Sequence, residues 1–257
     1  LGEMDEVVSS INHLVDSTVK AIEEERKIEK SKDELITNIG HDIRTPLTSV
    51  IGYLGLIENQ QYHSQEELAR YAHVAYRKAQ QMQSLVQDLF TYTATRQTTT
   101  EIRPVQVQVL RFMEQLVADF ELNAREKAIE LRLDIRPQNL LASFDVDKMA
   151  RVFHNLLSNA LKYGAGAHYI ELLAYQEQDY IYFKVKNDGQ ALDKTELEDI
   201  FQRSYRADQS RSANQPGTGL GLAIVRNIVE LHHGRVYATV EGKETIFTIE
   251  IPQKSPQ

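Results

Sequence analysis

The stretch NIGHDIRTPLTSVIGY, residues 38 to 53, sets His41 beside Asp42 and follows them with Arg44, Thr45 and Pro46, inside a run whose apolar residues recur at helical spacing. Ile36, Gly40, Ile43, Leu47, Val50, Leu54 and Ile57 form the stripe in alternating steps of four and three. At roughly 100° per residue, His41 lies about 160° from Ile43, so its imidazole points away from the stripe and toward solvent. Thr45 is one turn further along the same face. Pro46 offers no N–H to the carbonyl of Asp42 and its ring crowds that turn, which predicts a bend that loosens and presents the histidine. A carboxylate bound to one ring nitrogen would fix the tautomer and leave the other nitrogen's lone pair free to attack an electrophile. A plain surface histidine in an acidic helix fits the spacing as well.

Three further stretches suit a nucleotide. In RVFHNLLSNALKY, Asn155 and Asn159 stand four apart with Lys162 and Tyr163 one turn on. On a helix they make a polar stripe bordering Met149, Val152, Phe153, Leu156 and Ala160. Amide oxygens are hard ligands suited to Mg²⁺, and a lysine there can neutralise phosphate. GTGLGLAIV places Gly217, Gly219 and Gly221 before an apolar helix, so that backbone N–H groups can approach phosphate at a helix start. Upstream, Arg203, Arg206 and Arg211 gather among small polar residues, as a lid over a nucleotide would require. VKNDGQAL, residues 185 to 192, ends a strand in an acid-glycine turn. Taken singly, solvated asparagines, a flexible loop and a hairpin turn explain these stretches equally well.

The elements that must position these residues fall into two textures. Met4, Val7, Val8, Ile11, Leu14, Val15, Val19 and Ile22 read as a coiled coil that opens without a cap, as in a piece of something longer. Residues 31 to 95 read as a helical hairpin, its second stripe made by Leu68, Ala72, Ala75, Ala79, Met82, Val86 and Leu89. Two helices bury little of such stripes, and pairing two hairpins into a four-helix bundle predicts a homodimer. Residues 96 to 104 are a polar linker. Beyond it the spacing predicts helices at 108–127, 146–163, 194–203 and 219–233 and strands near 128–135, 168–176, 179–187, 235–241 and 244–251. His232 and His233 read as helix-end residues before a cap at Gly234. Interleaved elements of this kind imply a two-layer α/β sandwich.

Composition narrows the field. The 257 residues, 42% hydrophobic, support a real core. The 37 acidic against 29 basic residues give a net charge of -8, which disfavours nucleic acid. No cysteine is present, which removes disulfides and thiolate metal sites. No stretch approaches 18 consecutive apolar residues, which predicts a soluble chain.

Together the motifs resemble, over nearly the whole chain, the cytoplasmic part of a membrane sensor histidine kinase of two-component systems. The resemblance implies a GHKL (Bergerat) ATP-binding fold at 105–257, a phosphotransfer and dimerisation hairpin at 23–95, and the end of a HAMP-like signal relay at 1–22. His41-Asp42-Ile43-Arg44-Thr45-Pro46 resembles the H box, which implies that His41 is the phosphoacceptor, Asp42 its catalytic partner and Thr45 a helper of phosphatase action. Asn155, Asn159, Lys162 and Tyr163 resemble the N box, with Asn159 and Asn155 implied as Mg²⁺ ligands. Asn187, Asp188, Gly189 and Leu192 fall in the G1 box, where Asn187 stands in place of the usual aspartate and Ala191 in place of the second glycine; an asparagine oxygen can still accept from adenine. Phe201, Tyr205 and Arg206 resemble the F box, and Gly217, Thr218, Gly219, Leu220 and Gly221 the G2 box. Arg206, Arg211 and Lys162 would stabilise the transferred phosphoryl group. The implied cofactors are ATP and Mg²⁺. The implied partners are a second copy and a response regulator, with no direct nucleic acid. A missing upstream transmembrane segment would hold the chain at the cytoplasmic face of the membrane.

Overall fold

A computed structural model describes residues 18–19, 23, 37–95, 100–164, 166–192, 197, 200–201 and 219–253. The coiled coil and relay expected at 1–22 and the helix expected at 194–203 lie largely outside these residues. The chain divides into two compact units, Leu1–Met82 and Gln83–Gln257. Among the described residues, no helix is long and apolar enough to cross a membrane.

In the first unit, α1 covers residues 37–58 and runs unbroken through Pro46. A short turn leads to α2, Gln65–Thr95, which continues into the second unit. The hairpin read from the two stripes is present, and Ile39, Pro46 and Ala75 are buried in it. The apolar stripe on α1 is wider than one partner helix can cover. Leu47, Ile51 and Leu54, which share a face at i, i+4 and i+7, remain exposed, Ile51 by 62%.

The second unit carries β1 (Val105–Gln108), α3 (Val109–Glu126), β2 (Glu130–Arg136), β3 (Leu141–Phe144), α4 (Val146–Tyr163), β4 (Tyr169–Glu177), β5 (Tyr180–Asn187), α5 (Gly221–Leu231), β6 (Arg235–Glu241) and β7 (Glu244–Pro252). The main sheet has the order β2-β4-β5-β7-β6; β2 and β4 run parallel and the other neighbours antiparallel. The strands alternate as their sequences do. Ile170, Leu172 and Ala174 of β4 and Ile181, Phe183 and Val185 of β5 face inward and are buried under the helices. Phe112, Phe144, Phe153 and Phe183 meet edge to face at centroid distances of 5.1 to 6.0 Å, joining α3, β3, α4 and β5.

Two elements escape the sequence reading. β1 and β3, four residues each, form a separate two-stranded antiparallel sheet beneath the helices. At that length alternation is no stronger than chance, and the segment at 108 reads as helix because α3 begins one residue later.

The end of α5 also differs from expectation. His233 takes the left-handed conformation, φ 57°, that the spacing assigned to a cap at Gly234. Gly234 is needed for space: its N–H donates to the carbonyl of Val229 at 2.9 Å, and a Cβ there would lie 2.3 Å from the carbonyl oxygen of Glu250. Replacing the exposed His233 with glycine therefore removes a strained backbone. Relief of about 1 kcal/mol, partly offset by the entropy of glycine in the unfolded chain, predicts a modest rise in the urea midpoint of the second unit.

Candidate functional site

The first cluster sits on α1. The His41 side chain is 77% exposed, as its angle from the stripe requires, and its Nδ1 lies 3.8 Å from Oδ1 of Asp42, whose side chain is 20% exposed. That separation puts the two groups side by side but is too long for the tautomer-fixing hydrogen bond read from the sequence. Such contacts tighten when a reacting group arrives. Around the ring, hydroxyls reinforce the helix: Thr45 Oγ1 donates to the carbonyl of His41 at 3.3 Å, Thr48 to Arg44 at 3.0 Å and Ser49 to Thr45 at 3.3 Å. These bonds flank the turn in which Pro46 withholds its N–H. A shallow groove lined by His41, Arg44, Thr45, Thr48 and Ser49 runs along this face.

The second cluster is built by α4, β5 and α5. Asp145 caps α4, its carboxylate accepting the Lys148 N–H at 3.1 Å. Along the helix, Asn155 and Asn159 are half-buried beside the wholly buried Val152, Phe153 and Leu156. The Asn155 amide nitrogen is fully buried and has no hydrogen-bond partner among the described residues. Gly221, the first residue of α5, lies against the oxygen side of the same amide; a Cβ there would lie 3.3 Å from Asn155 Oδ1. A donor left without a partner among the described residues, on a side chain that a glycine at a helix start approaches closely, is what a bound phosphate or its water shell would satisfy, so these residues fit ATP. Gly219 adopts φ 65°, a conformation glycine reaches without penalty. Leu220 between them is fully buried. Lys162 is half-buried, its ammonium 5.0 Å from the ring centre of the half-exposed Tyr163.

Asn187 continues the inward register of β5 and is 5% exposed. Its amide lies against Gly164, and Gly189 meets Gly164 backbone to backbone, where a Cβ would come within 2.7 Å. The loops after α4 and β5 are thus pressed together to form one wall. Asp188 ties that wall down: Oδ1 accepts the N–H of His168 at 2.8 Å and of Tyr169 at 3.0 Å, and Oδ2 lies 3.0 Å from His168 Nδ1. Burial pushes its pKa up, but the backbone N–H bonds of Tyr169 and His168 and the His168 ring outweigh it and hold the carboxyl below the usual range. Both of its oxygens are engaged, which makes Asp188 a brace for the wall. The Leu192 N–H reaches Thr245 Oγ1 at 3.4 Å, and Thr245 is the β7 partner of Asn187. Phe201 is buried edge-on against Phe247. Tyr205, Arg206, Arg211, Gly217 and Thr218 lie outside the described residues.

Sequence reasoning missed a buried polar node behind this site. Nε2 of His232 accepts the Asp145 N–H at 3.0 Å, and its Nδ1–H donates to the carbonyl of Ile228 at 2.8 Å. The Asp145 carboxylate also takes the Arg103 N–H at 3.0 Å and the Lys148 ammonium at 2.9 Å. Asp145 and His232 are 87 residues apart, so spacing could not pair them; only the cap position of Asp145 before a helical run signals a role. Burial pushes the His232 pKa below the ordinary histidine value, against the raising effects of the Ile228 carbonyl and Asp145. The sign follows: the unfolded chain binds the proton more tightly, so this contribution is full above about pH 6.5 and is lost as pH falls through the lower folded value. Urea titrations between pH 7 and 5 are expected to show falling stability of the second unit, with a shallower fall in His232→Gln.

Comparison with known proteins adds the following. A family model for the His Kinase A (phospho-acceptor) domain matches residues 31–97. One described as histidine kinase-, DNA gyrase B- and HSP90-like ATPase matches residues 144–255, and a fungal histidine kinase HAMP domain model matches residues 1–23. The chain is 32% identical to sensor protein VanS of Enterococcus faecium, over 98% of this chain and 65% of that protein. It is 32% identical to sensor protein VanSC of Enterococcus gallinarum, over 96% of this chain and 68% of that protein. The solved structure of histidine kinase ThkA in complex with response regulator protein TrrA shares the fold, with a TM-score of 0.70 at 19% identity, covering 86% of this chain and 62% of that one. The chain spans about two thirds of the length of these two curated relatives.

Proposed function

The chain belongs to the sensor histidine kinases, and on that premise we propose that it moves the γ-phosphoryl group of ATP to His41 and from there to an aspartate of a response regulator. The reading rests on His41 itself: an exposed imidazole beside Asp42, within the matched phospho-acceptor segment, on a chain that also carries an ATPase lobe. Nε2, the nitrogen remote from Asp42, attacks the γ-phosphorus in line; the N–P bond forms as the bond to the ADP oxygen breaks, and ADP departs with that electron pair. Asp42 stabilises the positive charge growing on the ring and takes up its proton. In the second unit, Asn155 and the Gly219–Gly221 turn receive the phosphates, Asn187 accepts from the adenine amino group, and Lys162 with Arg206 and Arg211 offsets the negative charge. Asn159 and Asn155 would hold Mg²⁺ through their amide oxygens, and the ion would supply charge neutralisation for the triphosphate. Thr45, one turn from His41, positions water against a phosphorylated regulator and gives a phosphatase activity.

The exposed Leu47, Ile51 and Leu54 face supports a homodimer, in which a second hairpin covers it. The regulator reads the exposed His41 face, a role supported by the response regulator bound in the ThkA complex. In the whole protein, a membrane-borne sensor precedes the 1–23 segment that matches the HAMP model.

The test is direct. Incubation with γ-labelled ATP and Mg²⁺ is expected to give a protein label stable in alkali and lost in acid, as a phosphoramidate is. Steady ATP hydrolysis without any protein label would overturn the reading in favour of an ATPase that acts by closing its lobe.

A further inference from the structure

We propose that His232 is a positioning residue for the nucleotide: its ring fixes the register of α5 on α4 and so holds the Gly219–Gly221 turn over Asn155. The inference rests on the nucleotide role proposed for that turn.

Two tie points join these helices. At one end, the ring of His232 spans from the Ile228 carbonyl, on α5, to the Asp145 N–H, at the start of α4. At the other, Gly221 lies against Asn155. From Asp145 to Asn155 and from Gly221 to His232 the chain advances ten and eleven residues, which at 1.5 Å per residue is about 15 Å along each axis. The helices therefore lie side by side and antiparallel, tied at both ends by features of matching separation.

Interdigitated side chains hold a helix on its apolar neighbour, but dispersion and burial are non-directional and resist a small slide within that seat only weakly. A hydrogen bond with one defined acceptor supplies that resistance. Here the acceptor is His232 Nε2, buried and facing a backbone N–H that has no freedom to turn away. Asp145 is itself held by the Arg103 N–H and by both the N–H and the ammonium of Lys148, so the α4 side of the tie is rigid. Gly221 has little slack at the far end: a Cβ there would lie 3.3 Å from Asn155 Oδ1, so even a methyl would press on the Asn155 side chain. A slip of α5 by a fraction of a turn would move the glycine turn off the Asn155 side chain.

Two variants separate the bonds. In His232→Gln the side-chain oxygen reaches as far as Nε2 and still accepts from Asp145. In His232→Asn only the shorter arm toward Ile228 remains, and the Asp145 N–H is left buried and unpaired. Calorimetry on the full chain with Mg²⁺ and a non-hydrolysable ATP analogue is expected to give near wild-type affinity for Gln. For Asn it should be weaker by about tenfold, the effect of one unmade buried hydrogen bond. Labelling rates at saturating ATP should stay within about twofold of wild type in both, since the reacting groups are untouched. A purely structural role would lower the melting temperature of His232→Asn and leave its affinity, measured well below melting, unchanged; that outcome overturns the inference.

If His232→Asn does not fold, wild type carries the test. Acid removes the acceptor by protonating the ring, which is faced by Asp145, Lys148 and His233. The ratio of wild-type to His232→Gln affinity, in which titration of the nucleotide cancels, must then fall as the pH drops through the ring's depressed folded value. A constant ratio overturns the inference. Failure of wild type to bind the analogue at all would count against the nucleotide site itself, a distinct result.

Discussion

His41→Gln is expected to bind the ATP analogue as wild type does and to incorporate no label above background. Glutamine keeps the polarity and nearly the reach of the imidazole, but its amide nitrogen lone pair is delocalised into the carbonyl and cannot attack phosphorus. The substitution is structurally mild, because the ring is mostly in solvent and exposed positions free of special backbone demands change stability by about 0.5 kcal/mol or less. Asp42→Asn supplies the graded comparison. It keeps the shape beside Nδ1 while removing the charge that offsets the growing imidazolium, so labelling should slow by about a hundredfold and still reach completion. Loss of labelling with retained nucleotide binding in the first variant, and slowing in the second, assigns the nucleophile and its partner separately. A label that survives in His41→Gln would place the acceptor elsewhere.

How much of this arrangement the sequence could disclose depended on the range of the interaction involved. The exposure of His41 followed from its angle on one helix, and the span of α4 from a cap-forming aspartate and an apolar stripe ending at Gly164. Asn187 was legible for the same reason: it keeps the inward phase of Ile181, Phe183 and Val185, so a polar residue had to be buried at the strand end. What stayed hidden depends on partners remote in sequence. Nothing in the spacing pairs Asp145 with His232, or presses Gly189 against Gly164. Asp188, which follows the position where the resemblance expects an aspartate, has its oxygens on His168 and Tyr169, and nothing in the spacing announces those partners. The helix-end pair at 232–233 shows the limit most clearly. Helix-ending rules favour glycine in the left-handed position, and a glycine stands next door, but contact with β7 claimed that glycine and left His233 to take the strained conformation.

That competition makes Gly234→Ala a strongly damaging small change in the second unit. The added methyl would lie 2.3 Å from the Glu250 carbonyl oxygen and 3.0 Å from Ile251 Cγ2 and Val229 Cγ1. The first of these is backbone in β7, paired on one side with Tyr182 of β5 and on the other with Arg235 of β6, so it cannot retreat without opening the ladder. The other two belong to fully or almost fully buried side chains, which close packing leaves little room to move. Overpacking of this kind costs about 3 kcal/mol, a large share of a typical domain's margin. For a unit of this size the melting temperature should drop by about 10 °C. The neighbouring His233→Gly should shift it slightly upward, so one step along the chain reverses the sign. The two results together distinguish crowding from conformation, since alanine at 234 meets atoms while glycine at 233 relieves only a dihedral angle. Were Gly234→Ala to melt within a degree or two of wild type, β7 would have to yield locally, and the seat of α5 on the sheet would be softer than its packing implies.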